Sequence, residues 1–164
     1  MLLPVACPTV ITQAARIDTQ RGGGVEVIDQ QEEHMSTVTE AGVRLEELGR
    51  FFAITARRFD AGQSAPEMFS TAIDAAWHRL AQDPQAHRAF TTEHAGRELI
   101  HAETSGHGPI AWVGAYEESY GPLPEVWFTT ADGSLDIGAL SAYRETGRVV
   151  AEWNCSPAPS DGDR

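Results

Sequence analysis

The stretch at positions 69–80 reads Phe-Ser-Thr-Ala-Ile-Asp-Ala-Ala-Trp-His-Arg-Leu. Its large apolar residues recur at helical spacing and predict an amphipathic helix that buries one stripe of side chains. This stripe consists of Phe69, Ile73, Trp77 and Leu80. Asp74 and His78 lie four residues apart, so one helical turn separates them on a neighbouring face. A carboxylate this close to an imidazole can fix its tautomer or share a metal ion with it, so this helix is expected to organise both the core and any chemical site.

The sequence on both sides of this stretch has further helical signals. Apolar residues with three-and-four spacing predict a helix over positions 39–59. These residues are Leu45, Leu48, Phe52, Thr55 and Phe59. Ser64 and Glu67 form a capping-box pattern that predicts the start of the central helix. A third helix is predicted from Asp83 or Pro84 to a C-cap at Gly96.

The second half of the chain predicts shorter, mixed elements. Positions 97–103 and 148–155 have strand character, and a helix is expected at 110–120. The Gly- and Pro-containing segment 104–109 predicts a loop, and a last short helix is expected at 134–146. The predicted class is therefore α+β, predominantly α, with a helical N-terminal half, a small irregular α/β C-terminal half and a single domain.

Both ends of the chain differ in composition from this domain, which is predicted at 35–155. Residues 1–34 have weak periodicity and are expected to form a disordered leader, and residues 156–164 a flexible tail. Residues 31–35 can be encoded by a ribosome-binding sequence followed by ATG. One hypothesis is therefore that translation starts at Met35 and that the native protein lacks the leader.

Composition limits the function classes. The chain has 164 residues, which suits one domain, and a formal net charge of -12, which argues against nucleic acid or an anionic membrane as a partner. Cys7 and Cys155 lie at opposite ends of the chain without a CxxC pair, so they predict neither a disulfide framework nor a zinc ribbon. With no apolar run long enough to span a bilayer, these features favour a cytoplasmic protein. Cys155 is expected to be a buried, unreactive thiol because no His adjoins it in the sequence.

Histidines and one aspartate give the strongest chemical candidates. Asp74, His78, His101 and His107 are a reasonable ligand set for zinc or iron, and the first three are also the catalytic candidates. The alternative is that His78 and His101 are hydrogen-bonded within the core, with Asp74 fixing His78, and that no cofactor is bound. Because the chain has no HExxH motif, the sequence favours this structural alternative and leaves the metal site as the second hypothesis.

A motif over positions 74–101 carries a family resemblance. It consists of Asp74-x-x-Trp77-His78, His87-x-x-Phe90, Gly96-Arg97 and His101. It resembles a pattern in actinobacterial relatives of the glycine-rich domain proteins. His87 replaces the usual Tyr, Thr91 stands where Cys is frequent, and Ile100 replaces the first His of a pair. The resemblance implies a fold and key positions, and no activity.

Aromatic residues crowd one region of the second half. They are Trp112, Tyr116, Tyr120, Trp127 and Phe128. They can form the core that joins the two halves, or they can line a groove in which Tyr116, Trp127 and His107 bind a ligand. The leading functional hypothesis is an accessory protein that binds a peptide, protein or small ligand in that groove. The alternatives are a small metal-dependent enzyme and a structural or subunit-interface protein that forms a homodimer through the aromatics.

Overall fold

The computed structural model describes residues 29–161, with side chains from residue 39 onward. Within that range it is an α+β structure, predominantly α, which confirms the predicted class. The elements in chain order are α1 (Asp29–Asp60), α2 (Thr71–Ala81), α3 (Pro84–Ala95), β1 (Leu99–Pro109), α4 (Val113–Tyr120), a 3-10 helix (Glu125–Phe128), α5 (Ile137–Thr146) and β2 (Val150–Pro159). None of the helices in the described part is both long and apolar enough to cross a membrane.

Local signals explain where α3 begins and ends. Asp83 accepts hydrogen bonds from the backbone N–H groups of Gln85 and Ala86, and Pro84 occupies the first turn. Gly96 follows the helix with a φ of 69°, a left-handed conformation that glycine adopts without steric cost. The predicted bounds of this helix are therefore confirmed.

The predicted start of α2 at Ser64 is wrong. The helix begins at Thr71, where the Ser70 side chain accepts from the Ile73 N–H at 3.4 Å. The segment before it is extended because the Met68 N–H donates to the Cys155 carbonyl at 3.1 Å, and this long-range pairing is incompatible with a helix.

The first helix is longer than its apolar pattern predicts. It begins at Asp29, ten positions before the predicted start, and so enters the segment expected to be a disordered leader. Residues 1–28 lie outside the described part, and the hypothesis of translation from Met35 stays a prediction.

The core lies between α1, α2, α3 and the aromatic residues of the second half. From the predicted stripe, Ile73 and Trp77 are fully buried, while Phe69 and Leu80 pack against the core at its margin. Phe52 of α1 meets the Trp77 ring edge to face, with 5.0 Å between centroids. The α2 face that carries this stripe therefore fixes the orientation of the neighbouring polar face.

One carboxylate is enclosed in this core. Glu47 of α1 is 2% exposed, and its Oε2 accepts from the Tyr116 hydroxyl at 2.5 Å and from Trp127 Nε1 at 2.8 Å. Its Oε1 accepts from Arg50 Nη1 at 2.8 Å. Burial, and then the hydrogen bond to Glu47, raise the pKa of the Tyr116 phenol. This network joins α1 to the second half of the chain.

The two strands form an antiparallel sheet, in which each strand begins two residues later than predicted and continues past its predicted C-terminal end. The register pairs Leu99 with Pro159 and Pro109 with Val150, with one irregularity between Glu103 and Gly106. The predicted loop at 104–109 is therefore part of β1, and the predicted tail at 156–164 begins as paired strand up to Pro159.

Close packing explains the glycine in the supposed loop. A Cβ on Gly106 would lie 2.3 Å from the ring of Trp153 on β2. Gly106 therefore allows Trp153 to lie across the opposite strand, and it has a negative φ rather than the left-handed conformation of many turn glycines.

Candidate metal centre

A cleft opens where the polar face of α2 meets the sheet. Burial of Ile73 and Trp77 turns Asp74 towards the strands. In the sheet, Cys155 of β2 is paired with Glu103 of β1, which places His101 diagonally across from Cys155 on the same face. Three separate elements therefore contribute Asp74, His101 and Cys155 to one place.

Asp74 is the centre of the arrangement. Its Oδ1 lies 2.9 Å from His101 Nε2 and accepts a hydrogen bond from Cys155 Sγ at 3.2 Å. Its Oδ2 lies 3.4 Å from His78 Nε2. The rings of His78 and His101 are also adjacent, with 4.4 Å between their centroids. Sequence analysis predicted that Asp74, His78 and His101 act together, and the structure brings them together.

The potential ligand atoms are close enough to share one ion. A carboxylate oxygen of Asp74, a ring nitrogen of His101 and Sγ of Cys155 all lie within 4.8 Å of one another. Zinc binds oxygen and nitrogen at about 2.0–2.2 Å and sulfur at about 2.3 Å, so small side-chain movements would bring all three within bonding distance of one ion.

The cleft is open on the side of His78. Its volume is about 460 Å³. It is lined by Asp74, His78, His101, Glu103, Thr104, Ser105, Asn154 and Cys155. The side chains of His78, Asp74 and His101 are 60%, 28% and 20% exposed, whereas Cys155 is buried. An incoming molecule would therefore meet His78 and Asp74 first, with the sulfur at the bottom.

The buried thiol is not an activated nucleophile. Burial, and then the charge of Asp74 and the hydrogen bond to it, raise the pKa of the Cys155 thiol. A cysteine nucleophile needs the opposite shift, because the thiolate is the reactive form. A bound metal ion could replace the thiol proton, since coordination deprotonates a thiol.

Trp77 connects the centre to the core behind it. Its ring meets that of His101 edge to face at 4.6 Å, and its Nε1 donates to His87 Nε2 at 2.9 Å. Desolvation lowers the pKa of His87, which favours the neutral ring that this hydrogen bond requires. The orientation of His101 is thus supported by a side chain that is itself packed against Phe52 and hydrogen-bonded to His87.

The other predicted site residues lie elsewhere. His107 is exposed on β1, where it is paired with Glu152, and it does not line the cleft. Tyr116 and Trp127 are 0% and 1% exposed, and both donate to Glu47. These two aromatics therefore belong to the core, which was one of the two alternatives, and they do not line an open groove.

Sequence reasoning did not assign Cys155 to this site. It is 81 residues from Asp74 in the chain, and only the pairing of β2 with β1 brings it there. Predicting that proximity would have required knowledge of which residues of β1 and β2 are paired. The irregularity between Glu103 and Gly106 changes this pairing by one residue.

Comparisons with known proteins found no match: no family model, no curated protein and no solved structure is similar to this chain. The resemblance to the glycine-rich domain relatives stays a prediction, and the function has to be argued from the site.

Proposed function

We propose that this chain is a small metal-dependent enzyme with a zinc centre formed by Asp74, His101 and Cys155. The observation that carries the proposal is the convergence of their three ligand atoms within 4.8 Å at the base of an open cleft. The enzyme hypothesis requires such convergence. The accessory-protein hypothesis requires an open aromatic groove, and the burial of Tyr116 and Trp127 argues against it.

The chemistry of the three donors favours zinc over other common ions. A thiolate is a poor ligand for magnesium or calcium, which prefer oxygen. The common site for catalytic non-haem iron has two histidines and one carboxylate, whereas the three donors that converge here are one carboxylate, one imidazole and one thiolate. Three protein ligands with a fourth position open to solvent are typical of catalytic zinc.

His78 is the candidate general base and acid. It stands at the exposed side of the cleft, 3.4 Å from Asp74 Oδ2, and can move a proton to or from a molecule that enters. Zinc would supply a polarised water as the nucleophile of a hydrolytic reaction. A reducing cytoplasm, as expected from the cysteine pattern, would keep Cys155 available as a ligand.

The test is the metal content of the purified protein after incubation with zinc and removal of the excess. We expect roughly one equivalent in the wild type and a large loss in His101→Ala and in Cys155→Ser. His107→Ala is the matched control, because it removes an exposed histidine from the same strand. Circular dichroism checks that each variant is folded.

Two results would reject the proposal. One is a wild type that retains no zinc. The other is a folded His101→Ala or Cys155→Ser variant that retains as much zinc as His107→Ala. Either would identify the Asp74 cluster as a polar network that only supports the fold.

A further inference from the structure

The irregularity of the sheet coincides with the wall of the cleft. Between the pairs Glu103–Cys155 and Gly106–Trp153, β1 has two residues and β2 has one, which is the pattern of a β-bulge. The three residues that the pairing skips are Thr104, Ser105 and Asn154, and all three line the cleft. Bulges often lie next to active sites, where they redirect side chains. Here the bulge presents neutral hydrogen-bonding groups to the space beside Asp74.

The charges around the cleft select against anions. Among the described side chains that line the cleft, Glu103 carries the one carboxylate besides that of Asp74, and none is an arginine. The chain contains no lysine that a different rotamer could bring there. A divalent ion would be neutralised by the Asp74 carboxylate and the Cys155 thiolate, so Glu103 would leave the loaded site with a negative charge. A cationic ligand is attracted to such a site and an anionic one is repelled.

We infer that the substrate is a small amide that carries a protonated amine, with Glu103 binding the ammonium group and Asn154 and Ser105 hydrogen-bonding the amide. This inference rests on the proposed zinc function. The cleft volume of about 460 Å³ is within the usual range for small-molecule sites and suits a substrate of one or two amino-acid residues.

The reaction consumes only water. The water oxygen forms a bond to the carbonyl carbon, the C–N bond breaks, and the carbonyl carbon becomes that of a carboxylate. His78 takes one proton from the water and delivers it to the departing amine, which leaves as the free amine. The new carboxylic acid releases the second proton, and the free amine takes it up to become an ammonium ion, so no oxidant or further reactant is needed.

The test uses zinc-loaded full-length protein and two probes, L-alaninamide and N-acetyl-L-alaninamide, which differ in the charged amine. Calorimetry measures binding, and ammonia release measures hydrolysis. We expect alaninamide to bind at least about tenfold more tightly than its acetylated form, because the latter cannot make the charge-assisted hydrogen bond.

Glu103→Gln separates the amine contact from the metal site. We expect it to weaken alaninamide binding about tenfold while zinc content stays at the wild-type level. Glu118→Gln is the control, because it removes the same charge from an exposed position on α4 outside the cleft, and its affinity should match the wild type.

The outcomes distinguish the two proposals. Absence of zinc in the wild type rejects the metal site itself. If zinc is bound, the amine inference is overturned by equal affinity for the two probes, by no binding of alaninamide, or by unchanged binding in Glu103→Gln.

Discussion

Replacing Glu47 with glutamine should destabilise the protein strongly although the side chain keeps its size. The carboxylate accepts from three donors, at 2.5 Å from Tyr116, 2.8 Å from Trp127 and 2.8 Å from Arg50. An amide offers one acceptor oxygen, so its NH₂ group must face either the guanidinium of Arg50 or the indole N–H of Trp127. Neither of these can accept a hydrogen bond.

The magnitude follows from the contacts that are lost. One hydrogen bond to a charged group is worth about 1.5–3 kcal/mol, and the remaining bonds lose their charged acceptor. We expect a total cost of about 2–4 kcal/mol for Glu47→Gln. With an m-value of about 2 kcal/mol/M, the urea midpoint should fall by about 1–2 M.

Glu46→Gln is the matched control for this experiment. Glu46 directly precedes Glu47 in α1 and is hydrogen-bonded to the same guanidinium of Arg50, but its side chain is 60% exposed. Exposed pairs of this kind contribute about 0.2–1 kcal/mol, so the control should stay within about 1 kcal/mol of the wild type. Urea unfolding followed by tryptophan fluorescence measures both. Equal midpoints for Glu47→Gln and Glu46→Gln would refute the argument that burial of the carboxylate makes its contacts strong.

Two further predictions concern the sheet and the support of the site. Gly106→Ala should lower the free energy of unfolding by about 1–3 kcal/mol, measured in urea, because its Cβ would lie 2.3 Å from the Trp153 ring. The control Gly108→Ala, whose Cβ has its nearest contact at 4.0 Å, should stay within about 0.5 kcal/mol of the wild type. Equal stability of the two variants would contradict the close packing of Trp153 against Gly106. The second prediction concerns His87, which accepts a hydrogen bond from Trp77 and has a lowered pKa in the folded protein. As the pH falls, the imidazole is therefore protonated at a higher pH in the unfolded chain than in the folded protein. Its contribution to stability is complete above a pH of about 6.5 and is lost as the pH falls towards the lower pKa of the folded state. His87→Gln keeps an acceptor but does not titrate, so the decline of the unfolding midpoint between pH 7 and pH 5 should become shallower, and an unchanged slope would disprove this assignment.

The sequence predicted those features that depend on local signals. The three-and-four spacing that includes Ile73 and Trp77 identified the buried face of α2, and therefore the face on which Asp74 and His78 lie. Pro84 and Gly96 marked the two ends of α3, because capping interactions act within a few residues of the helix end. Local chemistry therefore predicted the buried face of α2, both ends of α3 and the Asp74–His78 pair of the candidate site.

Features that depend on distant pairing were not predictable in this way. Ser64 and Ser70 are both good N-cap residues, and the backbone hydrogen bond from Met68 to Cys155 decides between them. Glu47 reads as one more charged residue on α1, and its burial depends on Trp127, which is 80 residues away. The errors at positions 64, 104–109 and 156–159 share this cause, because each segment is shaped by a partner strand or residue from another part of the chain.

The contrast between two carboxylates is the strongest physical argument for a chemical role of the cleft. Glu47 shows how this chain builds a structural polar network: the carboxylate is enclosed, and both of its oxygens accept hydrogen bonds, one from Arg50 and the other from Tyr116 and Trp127. Asp74 differs in each respect. Its side chain is 28% exposed, and its two shortest contacts, with His101 at 2.9 Å and Cys155 at 3.2 Å, are both made by Oδ1. Its other oxygen, Oδ2, faces the open side of the cleft near His78. A network that served only stability would gain from enclosure, since water weakens each of its bonds. Asp74 instead lies beside a thiol and an imidazole at a solvent-accessible cleft, an arrangement that accommodates an ion and a substrate.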